Sequence, residues 1–124
     1  MKILLDTHVV LWWLMDDETL SPDVKGLIDT EPEVFVSSAS VWEITVKAAV
    51  GKLPVPPDMN DALLASGLRE LPIRSRHAWE AGALPLLHRD PFDRMLVAQA
   101  RCEGLTLFTR DRSVQAYEVE FRPV

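Results

Sequence analysis

Residues 3–5, Ile-Leu-Leu, form an uninterrupted apolar run that closes on Asp6 and Thr7. A strand with one wet face alternates apolar and polar side chains. A run without alternation belongs to a strand covered on both faces. That strand requires layers above and below it, and it delivers its terminal carboxylate to the carboxyl edge of the sheet. In open α/β sheets this edge is where ligands bind.

The remaining chain alternates helix and strand signals. His8 to Met15 reads as a helix that is apolar nearly all round. Its adjacent Trp12 and Trp13 point about 100° apart and cannot share one narrow stripe. Either the helix is buried between the sheet and a neighbour, or part of it meets another protein. Ser21-Pro22 opens a helix to about Asp29, with serine as cap and proline at the first helical position. Glu33 to Val36 reads as a strand, followed by a helix to about Val50 that Gly51 ends. Asp58 is expected to cap a helix to about Gly67, and Arg69 to Ile73 is a short strand. Ser75 is expected to cap a helix towards Ala83. Asp90-Pro91 starts a helix that Gly104 stops. Leu105 to Phe108 is a strand, Thr109-Arg110-Asp111 a turn into a short helix, and Val119 to Arg122 an edge strand. Strands alternating with helices predict a mainly parallel sheet with helices on both faces. Right-handed crossovers then place every strand-to-helix junction on one edge.

At 124 residues, 48% of them apolar, the chain is expected to be one domain, 1–124, with a full core. The formal net charge of −6 counts against a broad nucleic-acid-binding surface and leaves room for a small basic rim. The single cysteine, Cys102, excludes an intramolecular disulfide and fits a reducing cytosol; its helical position reads as core. Asp6 and His8 interrupt the N-terminal apolar run, against a signal peptide, and no segment is long and apolar enough for a membrane span.

Four acids fall at or just after junctions that this topology sends to one edge: Asp6, Glu43, Asp93 and Asp111. Each has an ordinary structural role open to it. Asp6 and Asp111 suit turns or caps. Asp93 suits the first turn of its helix. Glu43 completes a capping box if Ser40 is the cap, but it is free to face the strand ends if the helix starts at Ser37 or Ser38. Together, four carboxylates repel one another and resist desolvation, so the cluster persists when cations neutralise it. An all-oxygen set favours Mg²⁺ or Mn²⁺ over zinc, and such ions support hydrolysis of a phosphodiester. His8, His77 and His88 lack the spacing of a zinc site.

The blocks Leu4-Leu5-Asp6-Thr7-His8, Ser40-Val41-Trp42-Glu43-Ile44 with Gly51-Lys52-Leu53, His88-Arg89-Asp90-Pro91-Phe92-Asp93-Arg94, and Thr109-Arg110-Asp111, in this order, resemble a PIN domain of the VapC toxin type. The resemblance covers nearly the whole chain. It implies a three-layer α/β/α fold and Mg²⁺-dependent endoribonuclease activity. Asp6, Glu43 and Asp93 match the principal acids, Asp111 the more variable fourth, and Thr7 and Thr109 the hydroxyls that orient them. It also implies a homodimer and a small VapB-like antitoxin whose C-terminal segment covers the site. Arg89 and Arg94 are candidate contacts to substrate phosphate, with Arg110 and Arg112 as further ones. Trp12 and Trp13 are candidates for antitoxin contact.

Two other classes fit an acidic α/β domain of this size. A phosphotransfer receiver uses a lysine late in the chain, and the last third of this sequence has none. A binding module without chemistry would use the same acids as caps alone, and its melting temperature would ignore Mg²⁺ and Mn²⁺.

Overall fold

A computed structural model describes residues 1–124. The strands are β1 (Lys2–Leu5), β2 (Glu33–Ser37), β3 (Arg69–Leu71), β4 (Thr106–Thr109) and β5 (Phe121–Pro123). The helices are α1 (Thr7–Leu14), α2 (Pro22–Thr30), α3 (Ser38–Ala49), α4 (Met59–Ala65), α5 (Ser75–Ala83), α6 (Pro91–Glu103) and α7 (Arg112–Gln115). The strands form one sheet in the order β3-β2-β1-β4-β5, with every pairing parallel. The expected mainly parallel sheet is therefore wholly parallel.

β1 is the middle strand, and Ile3, Leu4 and Leu5 have no exposed surface. Its side chains divide between two cores, as the period of two requires. Ile3 and Leu5 join Val9, Val10, Ile28, Ile44, Met59 and Leu63 on one face. Leu4 joins Leu84, Leu96, Val97, Leu107 and Val114 on the other. Helices α1–α4 thus supply one outer layer and α5–α7 the second, with the sheet between them. No helix is long and apolar enough to cross a membrane.

From β1 the chain winds outward to β2 and β3, then returns on the far side of β1 to form β4 and β5. The strand order therefore reverses between β1 and β4. That reversal opens a crevice at the carboxyl ends of these two strands.

Several element ends differ from expectation for local reasons. α5 begins at Ser75 itself, and the Arg74 backbone N–H before it donates to Nδ1 of His77 at 2.9 Å. Asp58 makes no side-chain cap bond, because its backbone (φ −93°, ψ 13°) lacks the extended conformation a cap uses. β3 stops at Leu71, before Pro72, which has no N–H for a ladder. β4 begins one residue late because the Leu105 N–H bonds back to Ala100 O at 2.9 Å. Gly104, at φ 66°, makes that helix ending possible. β5 is likewise displaced to Phe121–Pro123. Cys102 is part-exposed rather than fully in the core.

Candidate metal centre

Asp6 is the residue between β1 and α1, in extended backbone at the N-terminus of that helix. Its carboxylate is 6% exposed. Thr109, the last residue of β4, donates from Oγ1 to Asp6 Oδ2 at 2.6 Å, bridging the reversal point. Burial pushes the Asp6 pKa up, as does the charge of Glu43. The Thr109 bond, the field of His8 and a backbone bond from His8 pull it down without cancelling the rise.

Glu43 has its open alternative resolved. The cap of α3 is Ser37, whose Oγ accepts from Ala39 N at 3.0 Å, so the helix starts before Ser40 and no capping box forms around Glu43. Glu43 lies in the second turn, almost fully buried, and lines the crevice. Thr7 Oγ1 donates to Glu43 Oε1 at 2.6 Å and lies 2.9 Å from Ser40 Oγ. Glu43 Oε2 pairs with the ammonium of Lys47, one turn further along α3. Partial burial works against the Lys47 charge, but its bond to Glu43 and the fields of Glu43, Asp90 and Asp93 outweigh this and push its pKa up.

Asp93 stands in the first turn of α6. Asp90 is the cap of that helix, accepting from the N–H groups of Phe92 at 2.9 Å and Asp93 at 3.2 Å. His88 Nε2 lies 2.7 Å from Asp93 Oδ2 and 3.9 Å from Asp111 Oδ2. Burial, followed by the charges of Asp6, Asp90 and Glu43, raises the Asp93 pKa to about 7; the His88 bond opposes the rise. Asp111 caps α7, accepting from Ser113 N at 2.8 Å, and is the most exposed of the four acids.

Asp6, Glu43, Asp93 and Asp111 all line one pocket of about 340 Å³, together with Asp90, His8, His88, Lys47, Trp12 and Arg110. Five carboxylates face two fixed cations there, so the pocket carries excess negative charge. Burial first, and the neighbouring carboxylates after it, raise the Asp6 and Asp93 pKa values there. Hard oxygen donors with uncompensated charge, with the His88 imidazole beside Asp93, suit a divalent cation such as Mg²⁺ or Mn²⁺. His88, Asp90 and Asp93 can bring donor atoms within 4.8 Å of one another, a spacing open to a shared ion.

The arginines divide. Arg110 lines the pocket, with its guanidinium 4.6 Å from the Trp12 ring centre and one nitrogen donating to Thr19 O at 2.8 Å. Arg89 and Arg112 are exposed. Arg94, expected as a phosphate contact, is absent from the pocket lining. Its guanidinium donates to the carbonyls of Ala81, Leu84, Pro85 and His88 and to the Tyr117 hydroxyl, at 2.8–3.4 Å. It fastens the α5–α6 loop instead. The two tryptophans face different neighbours: Trp12 the pocket, and Trp13 Asp29 of α2, to which its Nε1 donates at 2.9 Å.

Lys47 is a pocket residue that reading the sequence did not bring forward, and His88 appeared there only as the first residue of a matching block and as a rejected zinc ligand. The four-residue spacing of Glu43 and Lys47 on one helix was the available signal for the first. His88 lies in an aperiodic loop, so periodicity could not aim its ring at Asp93.

A profile of the PIN domain family matches residues 3–120. The chain is 30% identical over 118 residues to ribonuclease VapC22 of Mycobacterium tuberculosis, covering 93% of this chain and 91% of that protein. Its fold is similar to VapBC2 from Rickettsia felis bound to a promoter DNA fragment (TM-score 0.75, 16% identity, 99% and 98% of the two chains). It is also similar to DNA-bound VapBC from Salmonella typhimurium (TM-score 0.72, 17% identity, 99% and 98%). FitAcB from Neisseria gonorrhoeae aligns with a TM-score of 0.66 at 25% identity over 96% and 95%. A crevice of carboxylates at the reversal point of a parallel sheet, matched end to end by this profile and by a VapC relative, makes the chain a VapC-type member of the PIN domain family.

Proposed function

We propose that this chain is a divalent-metal-dependent endoribonuclease and the toxin of a toxin–antitoxin pair. The observation that carries the proposal is the convergence of Asp6, Glu43, Asp93 and Asp111, from four separate junctions, on one pocket. The naming of the similar VapC22 as a ribonuclease supports the activity. The similar VapBC complexes support a VapB-like antitoxin as partner.

Asp6, Glu43 and Asp93 would hold Mg²⁺ or Mn²⁺, with Asp111 assisting. The bound ion supplies an activated water and charge neutralisation at the phosphodiester. The remaining work belongs to the protein. Thr109 and Thr7 fix the rotamers of Asp6 and Glu43, so that the acids are oriented before an ion arrives. His88 does the same for Asp93. Arg110 on the pocket rim, and exposed Arg89, which lies in sequence between the pocket residues His88 and Asp90, offer charge to RNA phosphates that the acids would repel. An exposed apolar stripe at Trp42, Val46 and Val50 along α3 supports a homodimer.

The test is cleavage of total RNA by the purified chain, with and without EDTA, beside Asp6→Asn. Cleavage that needs Mg²⁺ or Mn²⁺ and is lost in the variant is the expected result. Cleavage that survives EDTA, or an equal rate in Asp6→Asn, would overturn it.

A further inference from the structure

We propose that Lys47 occupies one cation position of the acid cluster, so that the pocket takes a single divalent ion per chain. The inference rests on the metal-dependent reading above and adds a limit to it.

Clustered carboxylates in nucleases are commonly neutralised by two ions a few Å apart. Here one side of the cluster already has a resident cation. Lys47 projects from α3 into the pocket, its ammonium paired with Glu43 Oε2 at hydrogen-bonding range. The other Glu43 oxygen accepts from Thr7 at 2.6 Å. Both oxygens of this buried acid therefore have a donor before any ion binds. The Lys47 charge also acts on Asp90 and Asp93 across the pocket.

Asp6 and Asp93 are held differently. Asp6 has the neutral hydroxyl of Thr109 and Asp93 has the His88 ring; neither is paired with a lysine or arginine. Asp6 and Asp93 are thus buried acids without a paired cation, and a divalent ion gains most beside them, where His88, Asp90 and Asp93 bring donor atoms within 4.8 Å of one another. Glu43 retains lone pairs that allow it to share such an ion while bonded to Lys47. A second ion on the Lys47 side would meet an ammonium group a few Å away and a carboxylate already neutralised.

Lys47 is on this account a positioning residue: it holds Glu43 and sets the ion count. The geometry is local and cheap, since i and i+4 are neighbours on a helix.

The experiment counts tightly bound Mn²⁺ on the full-length chain, from the loss of the free-ion electron paramagnetic resonance signal. It compares wild type, Lys47→Arg and Lys47→Met, after circular dichroism has established that each is folded. One ion is expected for wild type and for Lys47→Arg, which keeps the charge. Two are expected for Lys47→Met, with a larger rise in Tm on adding Mn²⁺. Two ions on the wild type, or one ion on both wild type and Lys47→Met, would overturn the inference and leave the metal-dependent reading standing. If Lys47→Met does not fold, the comparison of wild type with Lys47→Gln decides in the same way. No tight Mn²⁺ on any variant would overturn both.

Discussion

Thr109 Oγ1 reaches Asp6 Oδ2 at 2.6 Å, joining residues 103 positions apart in sequence across the gap between β1 and β4. The same Oγ1 accepts from Asp111 N at 3.1 Å, so one fully buried hydroxyl orients two acids of the pocket. Thr109→Val keeps the shape and removes both bonds. Asp6 then loses the strongest influence opposing its elevated pKa. Divalent-ion affinity should fall about tenfold to a hundredfold, as when an orienting partner of a ligand is lost. Initial cleavage rates against Mg²⁺ concentration check this: the deficit should shrink at saturating ion, and Thr109→Ser should restore most of it.

Asp6→Asn separates charge from packing. The amide has nearly the volume of the carboxylate, but it carries no charge into a site where burial and Glu43 both disfavour one. Cleavage should be abolished. In EDTA the variant should melt no lower than wild type, because relief of the buried charge offsets any hydrogen bond it weakens. The rise in Tm that Mg²⁺ gives wild type should be largely lost. A Tm well below wild type in EDTA would mean that Asp6 serves the fold rather than the ion.

The layered sheet was readable because its signals are local: an unalternating run at 3–5, Ser21-Pro22, Asp90-Pro91 and Gly104 each act within a turn or a strand. The four acids were readable because topology, not side-chain detail, sends junctions to one edge. Glu43 shows where this ends. Ser37, Ser38 and Ser40 are all competent caps; Ser37 serves, while Ser40 and Glu43 both meet the Thr7 hydroxyl of another helix, a tertiary contact that local pattern does not report. Arg94 shows the same limit differently. Its acceptors are backbone carbonyls of a loop, and no residue pattern reports where carbonyls point. Trp12 and Trp13 were correctly read as facing different ways, but Arg110 over the Trp12 ring comes from beyond β4, after a separation no short-range rule covers.

The metal-free protein should lose stability as pH rises from about 4 to about 7. Asp93 ionises near its ordinary value in the unfolded chain but at about 7 in the folded one. Between those values the folded state holds the additional proton, so its advantage is complete below the lower pKa and is lost through the upper one. Asp6, raised for the same reason of burial, acts in the same direction. Bound Mg²⁺ or Mn²⁺ requires the deprotonated acids, so the increase in Tm that it causes should grow over this window. Thermal melts at a series of pH values, in EDTA and in excess ion, check both slopes. Parallel curves in the two conditions would remove the ion from this cluster.

Arg94 offers the last separation, between a residue that holds the site and one that touches substrate. Its five acceptors include the carbonyl of His88, whose backbone N–H also donates to the Tyr117 hydroxyl at 2.9 Å. Arg94 and Tyr117 therefore hold the loop that places the His88 ring beside Asp93. Lysine cannot replace the fork of guanidinium donors. Arg94→Lys should cost about 3 kcal/mol, from several carbonyls left without a partner, and lower Tm by roughly 10 °C for a domain of this size. Below that transition, RNA affinity in EDTA should match wild type within about twofold, since one lost phosphate contact would instead weaken binding and flatten its salt dependence. Filter binding at two salt concentrations, beside a thermal melt, distinguishes the roles. A wild-type Tm with weakened, less salt-sensitive binding would return Arg94 to the substrate.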